Sequence, residues 1–179
     1  MKKIENFKRM KTDILFQEVQ KQNQKWIWFL VIILICLAVF AFIQQVILKK
    51  PFGNHPMPDW GFAIFLGVPL LLFFMLVRTE LRTSFSGERL SFSYRPFFKK
   101  EKIIRWEEVD RCYVRLYSPF REFGGWGVRT AFNGKNGKAY NVAGNKGIQL
   151  ELKDGSRVLI GTQKAREAEA VLRQIKAGI

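Results

Sequence analysis

The sequence has a single histidine, His55, and two cysteines, Cys36 and Cys112. One histidine rules out most zinc ligand sets and most His-dependent catalytic sites, and two cysteines do not make a disulfide scaffold. Acidic residues are also few: 15 Asp and Glu stand against 30 Lys and Arg, a formal charge of +15 over 179 residues. Disordered basic tails carry such charge, but they are poor in aromatic residues. Here 17 residues are Phe and 48% are hydrophobic. A mean hydropathy of −0.05 fits a soluble protein, or two opposite extremes averaged together.

The extremes are visible. Trp26 to Ile43 and Trp60 to Val77 are runs of eighteen residues without a charge. As helices each spans about 27 Å, close to the roughly 30 Å hydrocarbon core of a bilayer. The competing reading is a pair of buried helices in a soluble core, but core helices normally keep a polar stripe. We therefore expect a transmembrane hairpin over 26–77, with helices at about 26–48 and 60–77 and an outside loop at 49–59. The first run follows 25 mostly polar residues and ends in Lys49-Lys50 without a small-residue cleavage motif, unlike a signal peptide. Trp26, Trp28 and Trp60 stand at run ends, where indole rings favour the headgroup layer. Pro69 predicts a local kink.

Basic residues set the orientation. Charge divides as +4 in residues 1–25 (7 − 3), +1 in 49–59 (2 − 1) and +10 in 78–179 (21 − 11). The positive-inside rule then places both termini in the cytoplasm. Cys36 in the first helix and Cys112 in the cytoplasmic part are not expected to pair.

Beyond Arg78 the pattern turns to alternation. Leu90/Phe92/Tyr94, Cys112/Val114/Leu116, Val128/Thr130/Phe132 and Ile148/Leu150/Leu152 each alternate with other residues, and Asp154-Gly155 marks a hairpin. Lys102–Trp106, Ala139–Val142, Ser156–Ile160 and Thr79–Phe85 bring the count to seven or eight strands. Thr162 then caps an amphipathic helix carrying Ala165, Ala168, Val171, Leu172 and Ile175. The fold class expected is α+β: a two-helix hairpin followed by an antiparallel β-barrel closed by a C-terminal capping helix.

The stretches RPFFKKEKIIRWEEVDRCYVRLYSP and FGGWGVR…AYNVAGNKGIQLELKDGSRVLIGTQ resemble bacterial membrane proteins with a two-helix hairpin and a pleckstrin-homology-like (PH-like) domain. The resemblance covers about residues 26–177. It implies a PH-like domain at 78–179 on the bacterial inner (cytoplasmic) membrane; PH-like folds host lipid-binding, peptide-binding and structural roles.

Catalysis is not expected. Glu107-Glu108-Asp110 reads as a turn before a strand, and neither GNKG (144–147) nor FNGKNGK (132–138) has P-loop spacing. No cofactor or metal is implied. The unusual stretch is SPFREFGGWG (118–127), for which two readings stand. In one, its aromatics fold back on the barrel. In the other it binds a ligand, with Trp126 as anchor, Arg115, Arg121 and Arg129 as anion ligands, and outward Tyr113 and Tyr117 extending the surface. Lys146, at a hairpin tip, is a separate candidate. A second basic group, Arg95, Lys99, Lys100, Lys102 and Arg105 around Phe97-Phe98, suits a membrane surface, with Lys99 and Lys100 as interface residues. Nucleic acid would also attract such charge, but a domain tethered to a membrane meets lipid first. Ile4, Phe7, Met10, Ile14, Leu15 and Val19 recur at roughly helical intervals, giving a basic amphipathic helix over 4–25 or a poorly ordered tail. The leading expectation is a non-enzymatic membrane-anchored domain that binds anionic lipid headgroups or a protein partner. The alternative is a structural subunit or scaffold of a membrane complex or homo-oligomer.

Overall fold

The computed structural model describes residues 14–53, 58–132, 134 and 136–178. The chain forms two compact units: one spans Asn23–Arg78, the other joins the residues up to Gln22 with those from Thr79 onward.

The first is a helix pair. α1 (Lys25–Phe42) continues into a π-helical turn over Ile43–Ile47, and α2 (Asp59–Arg78) contains Pro69. Both are long and apolar enough to cross a membrane. Small or compact residues let them approach: Val31, Ala38 and Ala41 are buried on α1, Gly61, Phe62 and Pro69 on α2. Trp28 meets Phe73 edge-on with centroids 5.6 Å apart, and Phe42 meets Phe62 at 6.4 Å. Trp26 and Trp60 occupy the first turns of their helices and are exposed, whereas Trp28 is half-buried. His55 lies outside the described residues.

The second unit holds two sheets and a helix. Sheet A is a meander of β1 (Ile14–Lys21), β2 (Glu80–Ser86), β3 (Arg89–Arg95) and β4 (Phe98–Arg105), all antiparallel. Sheet B comprises β5 (Val109–Leu116), β6 (Gly127–Thr130), β7 (Lys138–Asn141), β8 (Lys146–Leu152) and β9 (Arg157–Gly161), in the order β5-β8-β9-β7-β6. α3 (Pro119–Phe123) lies between β5 and β6, and α4 (Ala165–Gly178) ends the unit. Phe16, Leu81, Phe85, Leu90 and Phe92 from sheet A meet Cys112, Ile148, Leu150 and Ile160 from sheet B, with Ala168, Leu172 and Ile175 of α4 completing this core. A smaller core of Tyr117, Phe123, Ala131, Ala139 and Leu159 holds α3 and its flanks. Burial pushes the Cys112 thiol up to about 12, so it packs as an apolar group.

Three expectations need correction. The strands do not close into a barrel: no hydrogen-bonded ladder joins the two sheets among the described residues. Side chains span the gap instead, with Gln20 Nε2 donating to the Gly161 carbonyl at 2.6 Å and Lys102 Nζ to Tyr140 Oη at 3.0 Å. Nor is every pairing antiparallel, since β7 runs parallel to β9. Finally, residues 14–21, read from sequence as part of a helix or tail, form β1 and pair with β2 from Ile14↔Ser86 to Lys21↔Glu80. The rest of the expected amphipathic segment, residues 4–13, lies outside the described residues.

The first strand is fixed by an unusual contact. Glu18 faces inward and is 4% exposed. Its carboxylate accepts hydrogen bonds from Thr162 Oγ1 at 2.6 Å and the Gln163 N–H at 2.8 Å, just ahead of α4. The contact fixes the residues leading into α4, and Thr162 Oγ1 in turn accepts from the Lys164 N–H at 3.1 Å. Strand and helix are thus joined across 144 positions of sequence.

Candidate functional site

The 118–127 stretch is a structured clamp. Ser118 precedes α3 with extended backbone, Pro119 is the first helical residue, and Gly124 ends the helix at φ 72°. The left-handed backbone at Gly124 favours glycine, which carries no Cβ to strain there. Glu122 is the hub. It receives Arg115 Nη2 at 2.8 Å and Nη1 at 3.3 Å, the Ser118 N–H at 2.7 Å and Asn136 Nδ2 at 3.1 Å. Burial alone would raise its pKa, but the hydrogen bonds from Arg115 and Ser118 and the Arg115 charge outweigh it and hold the carboxyl below its ordinary range.

This arrangement occupies Arg115. Besides Glu122, its Nε donates to Gln149 Oε1 at 3.0 Å. Tyr117, expected to face outward, is buried instead, because it lies just past the end of β5 and joins the smaller core; burial pushes its phenol up to about 12. Trp126 is half-buried, with Nε1 donating to the Gly144 carbonyl at 2.9 Å, and Arg129 Nε donates to the Trp126 carbonyl at 3.2 Å. Lys146 sits across from Leu116 in the β5–β8 ladder and is exposed. Arg115, Tyr117, Trp126, Arg129 and Lys146 are therefore gathered at one end of sheet B. Arg121 sits on α3, exposed and without an ion pair among the described residues. Tyr113 is exposed as expected.

Two features of this region escaped sequence reasoning. In the sequence Glu122 reads as part of a binding loop, whereas its carboxylate accepts from the Ser118 N–H and from Arg115 and ties the loop together. Phe132, Leu116 and Phe120 are exposed apolar side chains, with Phe132 76% exposed and Phe120 edge-on against Trp126 at 4.9 Å. Alternation alone had counted Leu116 and Phe132 as inward residues.

The other expected surface is the β3–β4 turn. Arg95, Phe97, Lys99, Lys100 and Lys102 are exposed, while Phe98 is half-buried against Phe92, Tyr94 and Tyr140. Lys102 Nζ lies 4.6 Å from the Phe98 ring centroid and 5.0 Å from that of Tyr140, a cation–π contact that pins the strand.

Comparison of the chain with models of known protein families and with curated proteins finds no match.

Proposed function

We propose that this is a non-enzymatic, membrane-anchored protein of the bacterial cytoplasmic membrane whose PH-like β unit faces the cytoplasm and engages anionic lipid headgroups. The observation that carries the reading is the exposure of the two apolar helices: 17% of each span is buried within the structure, whereas a soluble core helix is mostly buried. Water does not tolerate that much continuous apolar surface, and a bilayer does. The basic flanks orient both termini toward the cytoplasm. The +10 of residues 78–179 then lies beside an anionic leaflet, where each cation held near the surface contributes about 1 kcal/mol. A β unit ended by a packed C-terminal helix supports the PH-like reading. Alkaline carbonate extraction tests the anchor: the chain should stay with the membrane pellet, and release to the supernatant refutes it. Hydrogen exchange of the β unit in neutral and anionic nanodiscs tests the headgroup contact, and identical protection in both refutes that part.

One observation favours a second reading. The exposed Leu116, Phe120 and Phe132 side chains suit a protein contact, either a larger complex or a second copy. Crosslinking in native membranes through Phe132→Cys should then recover a discrete partner or a homodimer, and recovery of monomer alone counts against it.

A further inference from the structure

The register of sheet A places both chain connections to the helix pair at one end of that sheet. Lys21 pairs with Glu80, and Glu80 pairs with Arg95. Only Thr79 separates Glu80 from Arg78, the last residue of α2, and three residues separate Lys21 from Lys25, the first of α1. Two residue steps reach about 7 Å, and a directly opposed strand partner adds about 5 Å. Arg95 is thus one ladder partner and two residue steps removed from Arg78. The headgroup layer on each side of a bilayer is itself about 5–7 Å thick.

The turn at that position has the chemistry of an interface. Phe98 is held inside by Phe92, Tyr94 and Tyr140, which fixes the turn backbone. Phe97 next to it rests one face on Tyr94, centroids 5.6 Å apart, and remains 60% exposed. Arg95, Lys99 and Lys100 surround it and make no ion pair among the described residues. An exposed aromatic ring flanked by free cations matches the boundary between acyl chains and anionic headgroups.

We infer that the Arg95–Lys100 turn is a lipid-docking element of the β unit, with Phe97 at the headgroup–acyl boundary and Arg95, Lys99 and Lys100 on the phosphates of anionic lipids. This rests on the membrane-anchored reading and deepens it, because it assigns the contact to one turn rather than to the net charge. Docking there ties the β unit to the surface at a point beyond its two covalent connections.

The test uses the full chain with Cys36→Ala, leaving the buried Cys112 in place. An environment-sensitive fluorophore is attached through Phe97→Cys or, as a control at the opposite end of sheet A, Glu88→Cys. The protein is reconstituted in vesicles of phosphatidylcholine with or without phosphatidylglycerol, and circular dichroism checks that each variant is folded. The expected result is quenching of the 97 probe by lipid-borne quenchers and protection from iodide, strongest with phosphatidylglycerol, and neither at 88. Adding Lys99→Gln and Lys100→Gln should weaken docking by about fivefold per cation. A chain that floats with the vesicles but whose 97 probe is quenched by lipid no more than its 88 probe overturns this inference and leaves the anchor standing. Protection from iodide without lipid quenching also overturns it and indicates a protein contact. Failure to float with the vesicles overturns the anchored reading itself.

Discussion

Replacing Glu18 by Ala is the sharpest perturbation of the β unit, because one side chain joins its first strand to its last helix. The buried carboxylate accepts from Thr162 Oγ1 at 2.6 Å and from the Gln163 N–H at 2.8 Å. Hydrogen bonds to a charged group contribute about 1.5–3 kcal/mol each, so the gross loss is about 3–6 kcal/mol. Part of that is offset, since Ala no longer carries the desolvation of a buried charge. A net loss of about 2–4 kcal/mol is expected, because the Thr162 hydroxyl is left buried without its acceptor. The assay is denaturant unfolding of the full chain in detergent, combined with hydrogen exchange of the β1 and α4 peptides, where opening should be concentrated. A double-mutant cycle with Thr162→Val isolates the contact, and a coupling of about 1–2 kcal/mol is expected for residues in one hydrogen-bonded pair. A loss below about 0.5 kcal/mol, or coupling within the additivity error, would refute the linkage.

Glu122→Gln should destabilise the unit by about 1–3 kcal/mol, since it leaves the half-buried Arg115 without a counter-charge. Because folding depresses the Glu122 pKa, its contribution is present above the ordinary carboxyl range near pH 4.3 and fades as pH falls through the lower folded value; acid unfolding of Glu122→Gln should be correspondingly flatter there. Gly137→Ala should disrupt the approach of Gly137 to β9, because the position has φ 70° and a Cβ would lie 1.9 Å from the Arg157 carbonyl oxygen; stability measured by thermal melting should fall by well over the ~1–3 kcal/mol of φ strain alone. Cys112 should resist maleimide at pH 8 until the chain is unfolded, since almost none of a thiol titrating at about 12 is thiolate; rapid labelling of the folded chain would contradict its burial. A fragment beginning at Thr79 should lack stable structure, because it loses Phe16 from the core and the Glu18 contact together; a cooperative melt matching that of the full chain would show β1 to be dispensable.

Sequence alone determined the elements whose signal is carried by their own residues. Two uncharged eighteen-residue runs read as apolar helices of membrane length, and seven or eight strands after Arg78 follow from alternation and turn residues, whose effect is local. The C-terminal helix was legible for the same reason. What tertiary structure decided is where inward positions are polar or where two distant segments complete each other. β1 places Phe16, Glu18 and Gln20 inward while Ile14 and Val19 face out, so its hydrophobic period mimics a helix. Its strand state exists because β2 offers a ladder and the α4 start offers donors 144 positions away. The candidate site divides the same way. The basic and aromatic composition of both surfaces was readable. That Arg115 is committed to Glu122, that Tyr117 is buried, and that Phe97 stands at the end of sheet A joined to both helices depend on register and packing, which no window of sequence contains.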